Sequence, residues 1–321
     1  MSKRPSVDDI VEQVQECIVD GQIDRMDRIA MRLVDAEAEV TRFLGDIRER
    51  RHMMFYFNTS SIGGGNSSIS LSVRVHGIQC GQVELTGSKD RPFTPLNLEI
   101  FRECWEASDA MSLQWTDRWV RRYLECAERV ARTSGMATRE AAVQAATIRS
   151  IETSREWDHQ ALVTYPARTS MGLPYQLPVP IRARGGAGAL VGRGAGHIDL
   201  LTRVSRPKRR LRVLELKRPT ATDVSTSLEQ AVAYAAALRI QMSQGTWYPR
   251  LIGYSNAPPP LEATAVVADT EEARAEIKDS LEGLIQSTER FRELSLSALF
   301  YRWDPAPSGL ITVTHELRWA A

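Results

Sequence analysis

The chain has 321 residues, 43% hydrophobic and 25% charged, with 41 Lys and Arg set against 40 Asp and Glu for a formal net charge of +1. This is the composition of a globular protein large enough for two units. It excludes a global basic field, so the positive charge for any nucleic-acid partner has to be local.

No stretch approaches the ~20 consecutive apolar residues that span a membrane. The polar opening MSKRPSVDDIVEQVQ lacks the apolar core of a signal peptide. Four cysteines, at 17, 80, 104 and 126, show neither CxxC nor a histidine at ligand spacing. These features predict buried thiols in a reducing cytoplasm, with no zinc site and no disulfide frame.

Residues 6–50 read as helix, from Ile10, Val11, Val14, Cys17 and Ile18 and then, after Gly21, from Ile29, Leu33, Val40 and Leu44. SSIGGGNSS is a turn, and ISLSVRVHGIQCGQVELTG alternates in period two as half-buried strands do. From Leu96 to Arg132 the pattern is helical again, with Trp105, Trp115 and Trp119 as core or interface anchors. The GGG run lacks a following GK[ST], so it is no phosphate loop. Residues 1–135 form a predicted α+β domain without a chemical motif.

The second part opens at Thr138, the predicted N-cap of a helix through about Leu162. Pro-rich and Gly-rich segments follow. Arg182, Arg184 and Arg193 thread the glycines, where flexible linker and close backbone approach are equal readings. A strand then ends at Asp199, a second carries VLELK, and an alanine-rich helix runs from about Ser225 to Gln244. RLIGYSN and ATAVVAD read as strands, EEARAEIKDSLEGLIQSTERFREL as a charged helix, and LITVTHELRW as the closing strand. Helix, three strands, helix and strand predict a mixed α/β sheet flanked by helices.

The chemistry concentrates between Gly196 and Tyr234. TRVSRPKRRLRV is short enough for a hairpin, which makes Asp199 and Glu215 neighbours. Glu215 and Lys217 project to one face of their strand, while Leu214 and Leu216 point to the other. A charged pair inside a run of strand formers is costly to bury unless paired or metal-bound. Two carboxylates with a carbonyl suffice for Mg2+, which keeps several waters, and Lys217 is placed to orient or deprotonate an attacking water. Gln230 and Tyr234, one turn apart, share a helical face.

In this order, GHIDL, LELK and QAVAY resemble the PD-(D/E)xK nuclease superfamily, with the QxxxY element similar to its RecB-like branch. The ELKRP flank with QxxxY is also similar to Shedu-type defence nucleases. The resemblance covers roughly 138–255. It implies an αβββαβ restriction-endonuclease-like core in a domain at 136–321, with Asp199 and Glu215 binding Mg2+ (or Mn2+), Lys217 assisting the water, and Gln230 and Tyr234 in support. It also implies a ligand from the preceding helix, for which Glu152, Glu156 and His159 form one stripe and Glu156 is the choice.

Eight basic residues lie between Arg203 and Arg218. They read either as a solvated hairpin tip or as phosphate contacts, with Arg206, Lys208, Arg209 and Arg210 as the binding set. His76, His159, His197 and His315 share no ligand spacing, and His197 is expected to be structural. No nucleophile motif supports a serine or cysteine mechanism.

The expectation is therefore a cytoplasmic, Mg2+-dependent DNA endonuclease, in a context the resemblance extends to anti-phage defence or restriction. Its N-terminal domain would serve oligomerisation, sensing or a protein partner, and a two-fold dimer suits double-strand cutting. The rival expectations are a non-catalytic nucleic-acid-binding or scaffold protein that keeps the fold, and an RNA-directed nuclease.

Overall fold

A computed structural model describes residues 5–18, 21–47, 53–57, 69–85, 91–97, 100, 102, 113–133, 140–153, 157, 160–165, 173–174, 177–182, 195–205, 209–254, 259–285, 294–303 and 309–319. Among these the protein is a mixed α/β structure built on two sheets.

The N-terminal half begins with helices α1 (Val7–Cys17), α2 (Gln22–Asp35) and α3 (Glu37–Asp46). Ser6 and Asp9 close a capping box on α1, satisfying two of the orphan amides of its first turn. Val7, Ile10, Val11, Val14 and Cys17 form its buried stripe. Strands β1 (Met53–Phe57), β2 (Ile69–Val75), β3 (Ile78–Leu85), β4 (Pro92–Pro95) and β5 (Leu113–Gln114) then form an antiparallel sheet in sequence order. Helix α4 (Arg118–Thr133) packs on β2 and β3. Trp115 meets Phe43 and Phe55 edge-on and Phe93 at a tilt, so this tryptophan is a core anchor.

Helix α5 (Glu140–Thr153) leads into the second half, which begins with β6 (Gln160–Leu162) and the short pair β7 (Thr164–Tyr165) and β8 (Leu173–Pro174). Next come the hairpin of β9 (Leu177–Arg182) with β10 (Ala195–Ile198), then β11 (Leu200–Val204) and β12 (Arg210–Leu216). Helices α6 (Val224–Gln244) and α7 (Tyr248–Leu251) precede β13 (Leu261–Ala268), and α8 (Glu271–Ile285), β14 (Leu294–Trp303) and β15 (Ile311–Trp319) complete the chain.

The second sheet runs β15-β14-β13-β12-β11-β6. β6, β11 and β12 are antiparallel neighbours, whereas β12, β13 and β14 are parallel, each parallel step being spanned by a helix. Strand alternation sends Leu211 and Val213 to the core that contains α6, and Leu214 and Leu216 to the core that contains α5. Alanines 231, 233, 235, 236 and 237 are fully buried, and their small size lets α6 lie close on the sheet.

Helix α5 is buried on nearly every face, from Ala142 through Ile148. Val143, Ala146 and Ile148 share one core with Met54 and Tyr56 of the first sheet and with Leu200, Leu214 and Leu216 of the second. The other large core also draws side chains from both sides of residue 135. In addition, Asp27 on α2 accepts the backbone amides of Thr246, Trp247 and Tyr248 at the start of α7.

Several expected elements change. The helix expected through Leu162 ends at Thr153, and Gln160–Leu162 is strand because β11 offers it an edge, pairing Leu162 with Thr202. In the stretch from Leu96 to Arg132, Leu113–Gln114 is strand and the continuous helix begins at Arg118. The strand expected at RLIGYSN is instead the end of α7 and a turn at Gly253, whose φ is +78°. The remote Asp27 cap and Pro249 in the first turn fix that helix. Finally, Cys126 is disulfide-bonded, against the expectation of thiols alone; Cys17 and Cys80 are free and buried. Tertiary contact brings cysteines together in a way spacing does not reveal.

Candidate active site

The β11–β12 hairpin places the acids as neighbours. Leu200 pairs with Leu214, so Asp199, in the bend just before β11, faces the end of β12. Asp199 Oδ2 accepts the Leu216 amide at 2.9 Å. That amide lies two residues beyond the last β11–β12 pair, and the carboxylate takes the place of a strand partner.

Glu215 is 5% exposed and Lys217 is 8% exposed. Lys217 Nζ donates to Glu215 Oε1 at 3.2 Å and to Gln230 Oε1 on α6 at 2.7 Å. Tyr301 on β14 donates to the Lys217 carbonyl at 2.7 Å. The ammonium is thus held between a strand carboxylate and a helix amide. Among the described residues no donor reaches the buried Glu215 Oε2, and the Glu215 carboxyl is in hydrogen-bond contact with that of Asp199. An orphaned carboxylate oxygen at such depth is unfavourable unless a proton or cation meets it.

The electrostatics carry the same signature. Burial pushes the Asp199 carboxyl up to about 7; the Leu216 N–H pulls it down, and the Glu140 charge pushes it up again. Burial first, and then the Asp199 charge, raises Glu215 well above the ordinary carboxylate range, with Lys217 pulling it back. Burial raises both carboxyls, the Asp199 charge raises Glu215 further, and a hydrogen bond to Glu215 lowers Asp199. A close carboxyl pair shifted in this way is a pattern of functional sites, though structural ion-pair networks also produce it.

Tyr234 is 7% exposed on the α6 face shared with Gln230. Burial raises its hydroxyl, followed by the charges of Glu215, Asp199 and Glu140. The sequence-predicted Asp199, Glu215, Lys217, Gln230 and Tyr234 therefore converge.

The helix-borne acids fare differently. Glu152 is exposed in the last turn of α5, and Glu156 and His159 lie outside the described residues. The acid whose charge reaches Asp199, Glu215, Tyr234 and Tyr301 is Glu140, exposed in the first turn of α5. Sequence reasoning did not consider Glu140, having weighed only acids near the C-terminal end of the helix. Its signal was available, since Glu140 and Gln144 sit one turn apart beside the predicted N-cap Thr138.

Of the basic run, Arg206 and Lys208 lie outside the described residues, as do Arg184 and Arg193. Arg209 is exposed. Arg210, expected among the phosphate contacts, bonds the buried Glu262, and Arg212 is fully buried between Glu262 and Glu316 at 2.9 Å each. These two arginines neutralise the sheet interior.

Among the described residues no group of three or more His, Cys, Asp or Glu is arranged to hold a metal ion. The buried Glu215 oxygen that no described donor reaches, beside the Asp199 carboxyl, nevertheless fits a hard cation, because Mg2+ commonly takes only one or two protein carboxylates and fills the rest with water and substrate. No helix among the described residues is long and apolar enough to cross a membrane. No protein-family model, curated protein or solved structure matches the chain.

Proposed function

We propose that the protein is a Mg2+-dependent nuclease of the PD-(D/E)xK type, hydrolysing phosphodiester bonds in DNA. The observation that carries this reading is the Lys217 ammonium, bridged between Glu215 and Gln230 beside two buried carboxyls, Asp199 and Glu215, in contact with each other. The order α5, β6, β11, β12, α6, β13, with an antiparallel trio followed by a parallel strand, supports the αβββαβ core that the motifs imply.

Asp199 and Glu215 would hold the ion, with Glu140 adding negative charge from the rim. Bound Mg2+ would supply charge neutralisation at the phosphate and a more acidic water. The chain's residues do the rest. Gln230 fixes the direction of Lys217, whose remaining N–H is available to a phosphate oxygen or to the attacking water. The Glu215 and Lys217 pair excludes bulk water by its burial. Arg209, exposed just before β12, is the described member of the expected binding set left to meet the nucleic-acid backbone, and Arg218 beyond β12 is exposed as well.

Endonucleolytic cutting, a homo-oligomer, a role in anti-phage defence, a cytoplasmic location and a partner-binding role for residues 1–135 belong to the same proposal. The test is cleavage of supercoiled plasmid and of RNA with Mg2+, Mn2+ or chelator, for wild type and Lys217→Ala. Metal-dependent plasmid nicking lost in Lys217→Ala supports the reading. Activity that survives chelation or the substitution refutes the mechanism. Binding without cleavage of either polymer favours a scaffold, and cleavage of RNA alone favours an RNA-directed enzyme.

A further inference from the structure

The carboxylate site is held from the first sheet as well as from its own strands. Asp199 occupies a bend where the β11–β12 ladder has stopped, so its carbonyl has no strand partner. Gln144 Nε2, reaching from α5, donates to that carbonyl at 2.7 Å. With the backbone fixed there and Oδ2 fixed by Leu216 N at 2.9 Å, the bend has little freedom to turn the carboxylate away from Glu215.

Gln144 is itself held. It is 3% exposed, and its Oε1 accepts from Tyr56 Oη of β1 at 3.3 Å. Burial raises the Tyr56 phenol well beyond the neutral range, so the hydroxyl stays protonated and donates. The Asp199 carbonyl can only accept, so it takes Nε2–H, and the phenol then donates to Oε1 and pins the far side of the amide. The Arg74 guanidinium lies over the Tyr56 ring, 4.5 Å from its centroid, and keeps the ring in place.

The first sheet also touches α5 directly. A Cβ on Gly77, at the β2–β3 turn, would lie 2.3 Å from the Ala141 carbonyl oxygen, so only glycine admits this approach beside Glu140. Further along α5, Arg149 bonds His76 Nδ1 at 3.2 Å and the Gly309 carbonyl at 2.9 Å.

We propose that Tyr56 and Gln144 are positioning residues of the carboxylate site: the N-terminal sheet sets the Asp199 bend through the chain Tyr56–Gln144–Asp199. The proposal rests on the metal-site reading of Asp199 and Glu215, but its geometry can be read without metal. In Tyr56→Phe the Gln144 amide loses the second of its two anchors, so its side chain moves more freely and its bond to the Asp199 carbonyl weakens. The bend then loosens, and the Leu216 amide loses its acceptor.

The experiment measures hydrogen exchange at the Leu216 amide, with Val213 as control, in wild type, Tyr56→Phe and Gln144→Leu, alongside Mn2+ binding to each by titration calorimetry. Leu216 exchange is expected to accelerate by roughly 2–10-fold, the worth of one net hydrogen bond, with Val213 unchanged. The Mn2+ dissociation constant is expected to rise by about tenfold or more, as for loss of other partners that orient a ligand. Unchanged Leu216 exchange in both variants overturns the proposal. So does equal acceleration at Val213, which marks general loosening. A wild type that binds no Mn2+ refutes the metal-site reading, and the amide exchange still decides whether Tyr56 and Gln144 position Asp199.

Discussion

Lys217 Nζ stands 2.7 Å from Gln230 Oε1, a contact that joins the end of β12 to the second turn of α6. The same ammonium is 3.2 Å from Glu215, so Gln230 decides where the charge points. Lys217→Ala is expected to reduce cleavage by about 10²–10⁴-fold, the usual loss on removing a group that handles the proton or the developing charge. Gln230→Leu, which removes a hydrogen bond to a charged group, is expected to cost about 10–100-fold in kcat. Tyr234→Phe is expected to have the smallest effect of the three. Steady-state kinetics on a short duplex checks the ranking; a Gln230→Leu enzyme at wild-type kcat would remove that residue from the site.

Glu140 predicts a dependence on metal concentration. Its charge raises both Asp199 and Glu215. Glu140→Gln should therefore weaken cation binding and raise the Mn2+ needed for half-maximal cleavage, by about tenfold. Glu152→Gln, at the far end of the same helix, should leave it unchanged. Equal effects from both substitutions would mean that general surface charge, not position, is responsible.

The carboxylates predict an unusual pH dependence for the metal-free protein. Both hold their protons more tightly folded than unfolded, so raising the pH through about 4–7 favours the unfolded chain at these groups. Glu215→Gln removes one buried charge and should raise the melting temperature by roughly 2–6 °C at about pH 8, with less gain at about pH 5. Mg2+ should stabilise wild type most at the higher pH, where the ligands are ionised. Calorimetry across this range checks the sign. A Glu215→Gln variant less stable than wild type at high pH would show that the charge is compensated within the protein.

Arg209 and Arg210 are adjacent in sequence but separated in role. Arg209→Ala should weaken nucleic-acid binding and reduce the salt slope by about one, with stability unchanged. Arg210→Ala should lower stability. Glu262→Gln, which leaves Arg212 in the sheet interior with Glu316 as its remaining carboxylate, should cost about 3–5 kcal/mol. Salt-dependent binding and denaturant unfolding separate the two cases.

Much of the site was legible because it is written in local patterns. Glu215 and Lys217 two apart on a strand, and Gln230 and Tyr234 four apart on a helix, share faces by the geometry of their elements. A short connection between two apolar runs was enough to make Asp199 and Glu215 neighbours. The mixed α/β class followed from element order. Where the reading failed, distant partners decided: the β11 edge turned Gln160–Leu162 into strand, and Asp27 turned Tyr248–Leu251 into helix.

By itself, the sequence determined the five converging residues and the type of sheet that carries them, since both depend on periodicities of two and 3.6. Only the tertiary structure decided that the Glu140 charge reaches the carboxylates, from the opposite end of α5 to Glu152. It also decided that Arg210 and Arg212 serve the interior, and that Tyr56, 143 residues before Asp199 in the numbering, reaches it through Gln144. These depend on how α5 is sandwiched between two sheets. Packing of that kind is fixed by the summed burial of both halves, and it leaves no periodic trace in either.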